Sequence, residues 1–206
     1  MGLKKSVAWV FGLLLVYASL TPCSAENDVV LEQVQWPDKM KCDVCVAVQF
    51  GKLEMLLPLS EVGKLLVINS DSSALHVLPK TNNPQEGALF LSVGPEKLMK
   101  RYRDSGLLRG LGIKTNEQLF DALGKTPTGN KSISTIRRIE HIDKADRYLK
   151  TSKESLHVYW IKSSPPNSQG VYFVIDGQET VYLLAGNVTQ RLYDAVLSNI
   201  RVVNVP

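Results

Sequence analysis

The sequence predicts an α+β protein, a mainly antiparallel sheet with helices packed on one face. Three observations carry that expectation. Runs of period two fill both ends of the chain, from "VCVAVQF" to "ALFLSVG" and again from "SLHVYWIK" to "TVYLLAG". A helical segment over 95–150 separates these β-rich halves, punctuated by Pro95, Gly106, Thr115 and Gly124. The β-α-β alternation that a parallel nucleotide-binding sheet requires is missing.

Lys4 and Lys5 precede the apolar run "VAWVFGLLLVYASL", Pro22 interrupts it, and "CSA" places small residues before a cleavage point after Ala25. Residues 1–25 therefore read as an export signal that is removed, the run being short for a membrane span. Residues 26–206 are expected to form a single α+β domain with no transmembrane span, built as a β-rich lobe 26–93 and a second lobe 94–206 of helices followed by hairpin, helix and strand. The expected location is periplasmic for a bacterial protein and secreted otherwise. A lipid anchor at Cys23 is the second reading, and Pro22 fits that signal poorly.

Signal removal leaves Cys42 and Cys45, and an oxidising compartment makes a disulfide the default. Val44, Val46, Val48 and Phe50 alternate with Cys45, Ala47 and Gln49, which favours a strand. Strand residues three apart lie ~10 Å apart on opposite faces, whereas a disulfide needs Cα atoms within roughly 7 Å. A bonded pair thus forms a turn, with the strand starting at about Cys45. The rival is a thiol-disulfide redox centre. It requires a cysteine at a helix N-terminus, and "VAVQF" begins a helix badly. No metal site is expected, because His76, His141 and His157 lack ligand spacing.

"GKLLVINS", "ALHVL" and "ALFLSVG" continue the β-rich half. "GPEKLMKRYRDSG" predicts a helix of about three turns with proline at its start, and "TNEQLFDALG" a second helix capped by Thr115. Residues 132–152 predict the longest helix. There Ile133, Ile136, Ile139 and Ile142 recur, and Glu140–Lys144, Asp143–Arg147 and Asp146–Lys150 have acid-before-base spacing. Two β-rich runs around Asp176–Gly177 predict a hairpin. "VTQRLYDAVLSNI" follows as a helix capped by Asn187 or Thr189, and "RVVNV" as a closing edge strand.

No catalytic residue can be named. The serine-elbow, SxxK and HExxH patterns are missing, "GKT" at Gly124–Thr126 has Leu119 where a phosphate loop needs glycine, and no cofactor is implied. Charge is more informative. Residues 97–153 hold 14 Lys/Arg against 6 Asp/Glu, set within a chain of net charge +4. Lys97, Lys100, Arg101 and Arg103, then Arg109, Arg137 and Arg138, form the candidate patch for an anionic partner, a protein or an envelope surface. Nucleic acid is disfavoured by export. The sequence thus points to an exported, non-enzymatic binding protein, an accessory or inhibitor. The thiol-disulfide oxidoreductase using Cys42 and Cys45 is the alternative.

Overall fold

A computed structural model of the chain describes residues 29–41, 43–68, 73–80, 87–125, 129–164 and 169–203. The expected leader, Cys23 and Cys42 lie outside these residues. Strands β1 (Leu31–Gln33), β2 (Cys45–Phe50), β3 (Leu53–Pro58), β4 (Val62–Ile68), β5 (Ala74–Pro79) and β6 (Ala88–Val93) come first. Helices α1 (Met99–Asp104), α2 (Asn116–Leu123) and α3 (Lys131–Ile139) follow. The chain ends in β7 (Arg147–Lys153), β8 (Leu156–Lys162), β9 (Gln169–Ile175), β10 (Val181–Gly186), α4 (Gln190–Ser198) and β11 (Arg201–Val202).

Eight strands form one sheet in the order β1-β7-β8-β9-β10-β6-β5-β4, antiparallel except where β1 runs parallel to β7. A three-stranded antiparallel sheet, β11-β3-β2, covers part of one face. The α+β class and the predominantly antiparallel sheet are as the sequence predicts. Because β10 pairs with β6, both halves of the chain share the large sheet.

Helices α1 to α3 bury Tyr102, Leu119, Phe120 and Ile136 against Tyr148, Tyr159, Ile161 and Val174 of the sheet. The opposite face packs Leu149, Val158, Trp160, Val171 and Phe173 against Leu53, Met55 and Leu57 of β3 and Tyr193 and Val196 of α4. The helices of the middle segment thus share one face, and α4 joins the small sheet on the other. Strands β7 to β9 are covered on both sides, so their buried runs need not alternate. Trp160 stacks on Tyr193 with ring centroids 4.3 Å apart, and its indole N–H donates to Gln169 Oε1 at 2.8 Å. Each such large side chain contributes roughly 1.5–3 kcal/mol through burial.

Local signals explain most boundaries. Thr115 accepts from the Gln118 backbone N–H while Gln118 returns a bond to the Thr115 N–H, a full capping box for α2. Asn130 caps α3 through bonds from Ser132 and Ile133, and Thr189, not Asn187, caps α4. In the β2–β3 hairpin Gly51 turns at φ 57, and the Lys52 N–H donates to the Tyr182 hydroxyl at 2.9 Å, joining the two sheets.

The long helix expected over 132–152 is not formed. α3 ends at Ile139, His141 takes a left-handed φ of 58, a single 3-10 turn covers Ile142–Lys144, and β7 begins at Arg147. The acid–base pairs that supported it point elsewhere. Arg147 binds Glu32 of β1, Lys150 binds Glu117 and Asp121 of α2, and Glu140 accepts from the hydroxyls of Tyr102 and Tyr172. Tertiary partners outweigh i,i+4 pairs of a few tenths of a kcal/mol.

Candidate functional site

A cleft of about 340 Å³ opens where α1, the N-terminal turn of α2 and the β9–β10 turn meet. Pro95, Met99, Val174 and Ile175 give it an apolar lining. Lys100, Arg103 and Lys114 line it, together with Glu117, Asp176 and Glu179. Both Lys100 and Arg103 belong to α1, three positions apart, which places them on one helix face. Among the described residues, none of Lys100, Arg103 and Lys114 takes part in an ion pair, and all three are exposed. Asn116 forms a buried wall: its Nδ2 donates to the carbonyls of Gln178 and Glu179 at 3.2 and 3.0 Å, and its Oδ1 has no partner among the described residues.

Reaching the same cleft through Glu117 and Asp176 is a polar cluster drawn from four elements. Ser152 of β7 and His157 of β8 are directly opposed in the hairpin, and Ser152 Oγ is 2.9 Å from His157 Nδ1. The other ring nitrogen, Nε2, lies 3.0 Å from Asp176 Oδ1, at the start of the β9–β10 turn. Glu117 Oε1 lies 3.5 Å from Nδ1 and 3.0 Å from Lys150 Nζ, which also reaches Asp121 Oδ1 at 2.7 Å. The Lys150 side chain is only 8% exposed, so its ammonium depends on these two carboxylates. Tyr159 donates to Asp121 Oδ1 at 2.7 Å. Burial first, and then that hydrogen bond, push the Tyr159 hydroxyl far above its ordinary range.

The seven cations expected to form a patch are not all together. Lys100 and Arg103 meet in the cleft, joined by Lys114, which the sequence reading passed over. Lys97 lines a separate cleft with the β2–β3 turn and the end of β6. Arg101 is exposed and lies over the Tyr102 ring at 5.8 Å. Arg109 and Arg138 are exposed on the turns after α1 and on α3. Arg137 is the correction. It is 3% exposed and donates to the backbone carbonyls of Leu123 and Val29, so it holds α3 to α2 and cannot meet a partner. One of these, the Leu123 carbonyl, is an orphan that the end of α2 leaves without an internal donor.

Cys45 is the first residue of β2, opposite Pro58, and is disulfide-bonded. It opens a strand and not a helix, so no helix dipole acts on its sulfur. Against known proteins, the chain matches no family, no curated protein and no solved structure.

Proposed function

We propose that this is an exported, non-enzymatic binding protein that captures an acidic segment of a protein partner in the cleft between α1, α2 and the β9–β10 turn. The observation that carries the reading is that Lys100, Arg103 and Lys114, exposed and without ion-pair partners among the described residues, all line one partly apolar cleft. Cations without an ion pair in their own chain attract the carboxylates of a partner, and the acidic Glu117, Asp176 and Glu179 on the same cleft favour its docking in one orientation. Met99, Val174 and Ile175 supply the apolar contact that gives such a complex residence time. The leader and a Cys42–Cys45 clip belong to the same reading, since an exported chain without a reducing environment keeps such a bond.

The test is fluorescence anisotropy with a labelled peptide rich in aspartate and glutamate. The protein is expected to bind it with an affinity that falls as salt rises. The double variant Lys100→Glu/Arg103→Glu is expected to lose at least tenfold in affinity, while Arg138→Glu on α3 binds like the parent. Equal affinity of the parent and the double variant removes the cleft from the reading.

A further inference from the structure

The geometry points to a divalent transition-metal site at the junction of α2, the β7–β8 hairpin and the β9–β10 turn, with His157 Nδ1 and Glu117 as its protein ligands and Asp176 holding the imidazole from behind. It is independent of the peptide reading. Donor atoms of Glu117, His157 and Asp176 all lie within 4.8 Å of one another, and they arrive from three separate elements.

The distances around the ring assign the roles. Asp176 Oδ1 is 3.0 Å from Nε2, the length of an N–H···O hydrogen bond. A carboxylate there accepts the Nε2–H and turns the Nδ1 lone pair toward Ser152 and Glu117, which is how a ligating histidine is usually oriented by its outer neighbour. On the Nδ1 side Glu117 Oε1 is 3.5 Å away, too long for a good hydrogen bond. Two donors each about 2.1 Å from a tetrahedral ion are ~3.4 Å apart. The Nδ1–Oε1 separation therefore matches the edge of a coordination tetrahedron. Ser152 Oγ, 2.9 Å from Nδ1, stands beside the same lone pair as a neutral oxygen donor, and water completes the shell.

Charge agrees with that assignment. Glu117 and Asp121 hold the one buried ammonium, Lys150, and Asp176 adds a third carboxylate beside His157. With the imidazole neutral, as a metal ligand must be, the cluster carries a formal charge of −2, which one divalent cation cancels. Lys150 takes up both oxygens of Asp121 but only Oε1 of Glu117, and a carboxylate oxygen has a second lone pair, with which that Oε1 binds the ion. One imidazole with a carboxylate suits zinc better than magnesium or calcium, which prefer all-oxygen shells. His157 is 13% exposed at its side chain and Glu117 33%, so the site is sheltered yet open to an ion arriving through the cleft.

Titration calorimetry of the chain with zinc chloride alone tests this, with magnesium chloride as the comparison. One zinc per chain is expected, with magnesium far weaker. His157→Ala is expected to abolish that binding, and Asp176→Asn, at an exposed turn, to weaken it at least tenfold. His141→Ala, at an exposed histidine outside the cluster, is expected to bind as the parent does. Circular dichroism of each variant checks that it is folded, and Asp176→Asn carries the test if His157→Ala is not. Absence of one-to-one zinc binding by the parent, or equal zinc affinity in the parent and the folded variants of His157 and Asp176, overturns the site.

Discussion

The guanidinium of Arg137 reaches from α3 to the carbonyl oxygen of Leu123, the last residue of α2. Its second branch donates to the carbonyl of Val29 at 2.8 Å, just before β1. One buried cation thus closes a helix end, where the dipole favours positive charge, and fastens the first described segment of the chain to the helical layer. Arg137→Met is expected to destabilise the protein by roughly 2–4 kcal/mol, since it strands two buried carbonyls that a charged donor had satisfied. Arg138→Met, one residue on and exposed, is expected to stay within about 0.5 kcal/mol of the parent. Urea unfolding of the two variants checks the contrast, and equal midpoints would contradict it.

Gly51 makes a similar contrast on the other face. A Cβ there would run into the ring and hydroxyl of Tyr182, and the residue already has a φ of 57. Gly51→Ala is expected to cost about 2 kcal/mol or more, combining left-handed backbone strain with overpacking. Gly177 has a φ of 69 with nothing within 4 Å of the same position. Gly177→Ala should therefore show the backbone cost alone, roughly 1 kcal/mol. Thermal unfolding of both variants separates the two contributions, and a Gly51→Ala no worse than Gly177→Ala would show that Tyr182 yields.

Five tyrosines give the protein an alkaline limit. Burial raises the hydroxyls of Tyr102, Tyr148, Tyr159, Tyr172 and Tyr193 above their ordinary value, with Glu140 adding to Tyr102 and Tyr172 and Asp121 to Tyr159. The unfolded chain releases these protons at about pH 10. A raised folded value means that their contribution to stability is fully present below that pH and is lost as pH climbs toward the folded values. Tyrosinate absorbance is expected to rise for these groups in one cooperative step that coincides with loss of circular dichroism. Separate titration of the five hydroxyls in a folded protein would contradict this.

Strand β4 has a neighbour on only one side among the described residues, and it exposes Leu66, Val67 and Ile68, the middle one at 73%. An apolar open edge is a template for pairing with another chain. Val67→Lys is expected to reduce concentration-dependent self-association in sedimentation velocity while changing stability by less than about 0.5 kcal/mol. Unaltered sedimentation across concentrations would clear this edge of that role.

The sequence shows local structure where one residue sets local geometry. Thr115 and Thr189 cap helices as their positions suggest, and Asp176–Gly177 turns the β9–β10 hairpin. It misleads over 132–152 because isoleucines every three residues and charges every four suit a helix there, while nothing local reveals that Lys150 has its partners on α2. Tyr148, Leu149, Lys150 and Thr151 are all buried, so β7 shows no polar–apolar alternation to announce itself. Of the polar cluster, Ser152 with His157 and Lys150 with Tyr159 are joined by the β7–β8 hairpin. Glu117 and Asp176 reach it through packing between distant elements, and no spacing rule joins them. Arg137 and Arg138 look alike in sequence, and only the docking of α3 makes one of them structural.

The pairing of β3 with β11 and of β1 with β7 has a consequence for how the chain reaches this state. The three-stranded sheet cannot close until Arg201 and Val202 have been synthesised, and β1 waits for β7, made more than a hundred residues later. Contact order favours early, local pairing of the antiparallel neighbours β4 to β6 and β7 to β10, and late docking of β1 and β11. A ribosome-bound chain therefore carries Leu53, Met55 and Leu57 without their β11-side neighbours for most of its synthesis, and holding that strand soluble is a task for whatever escorts the nascent polypeptide.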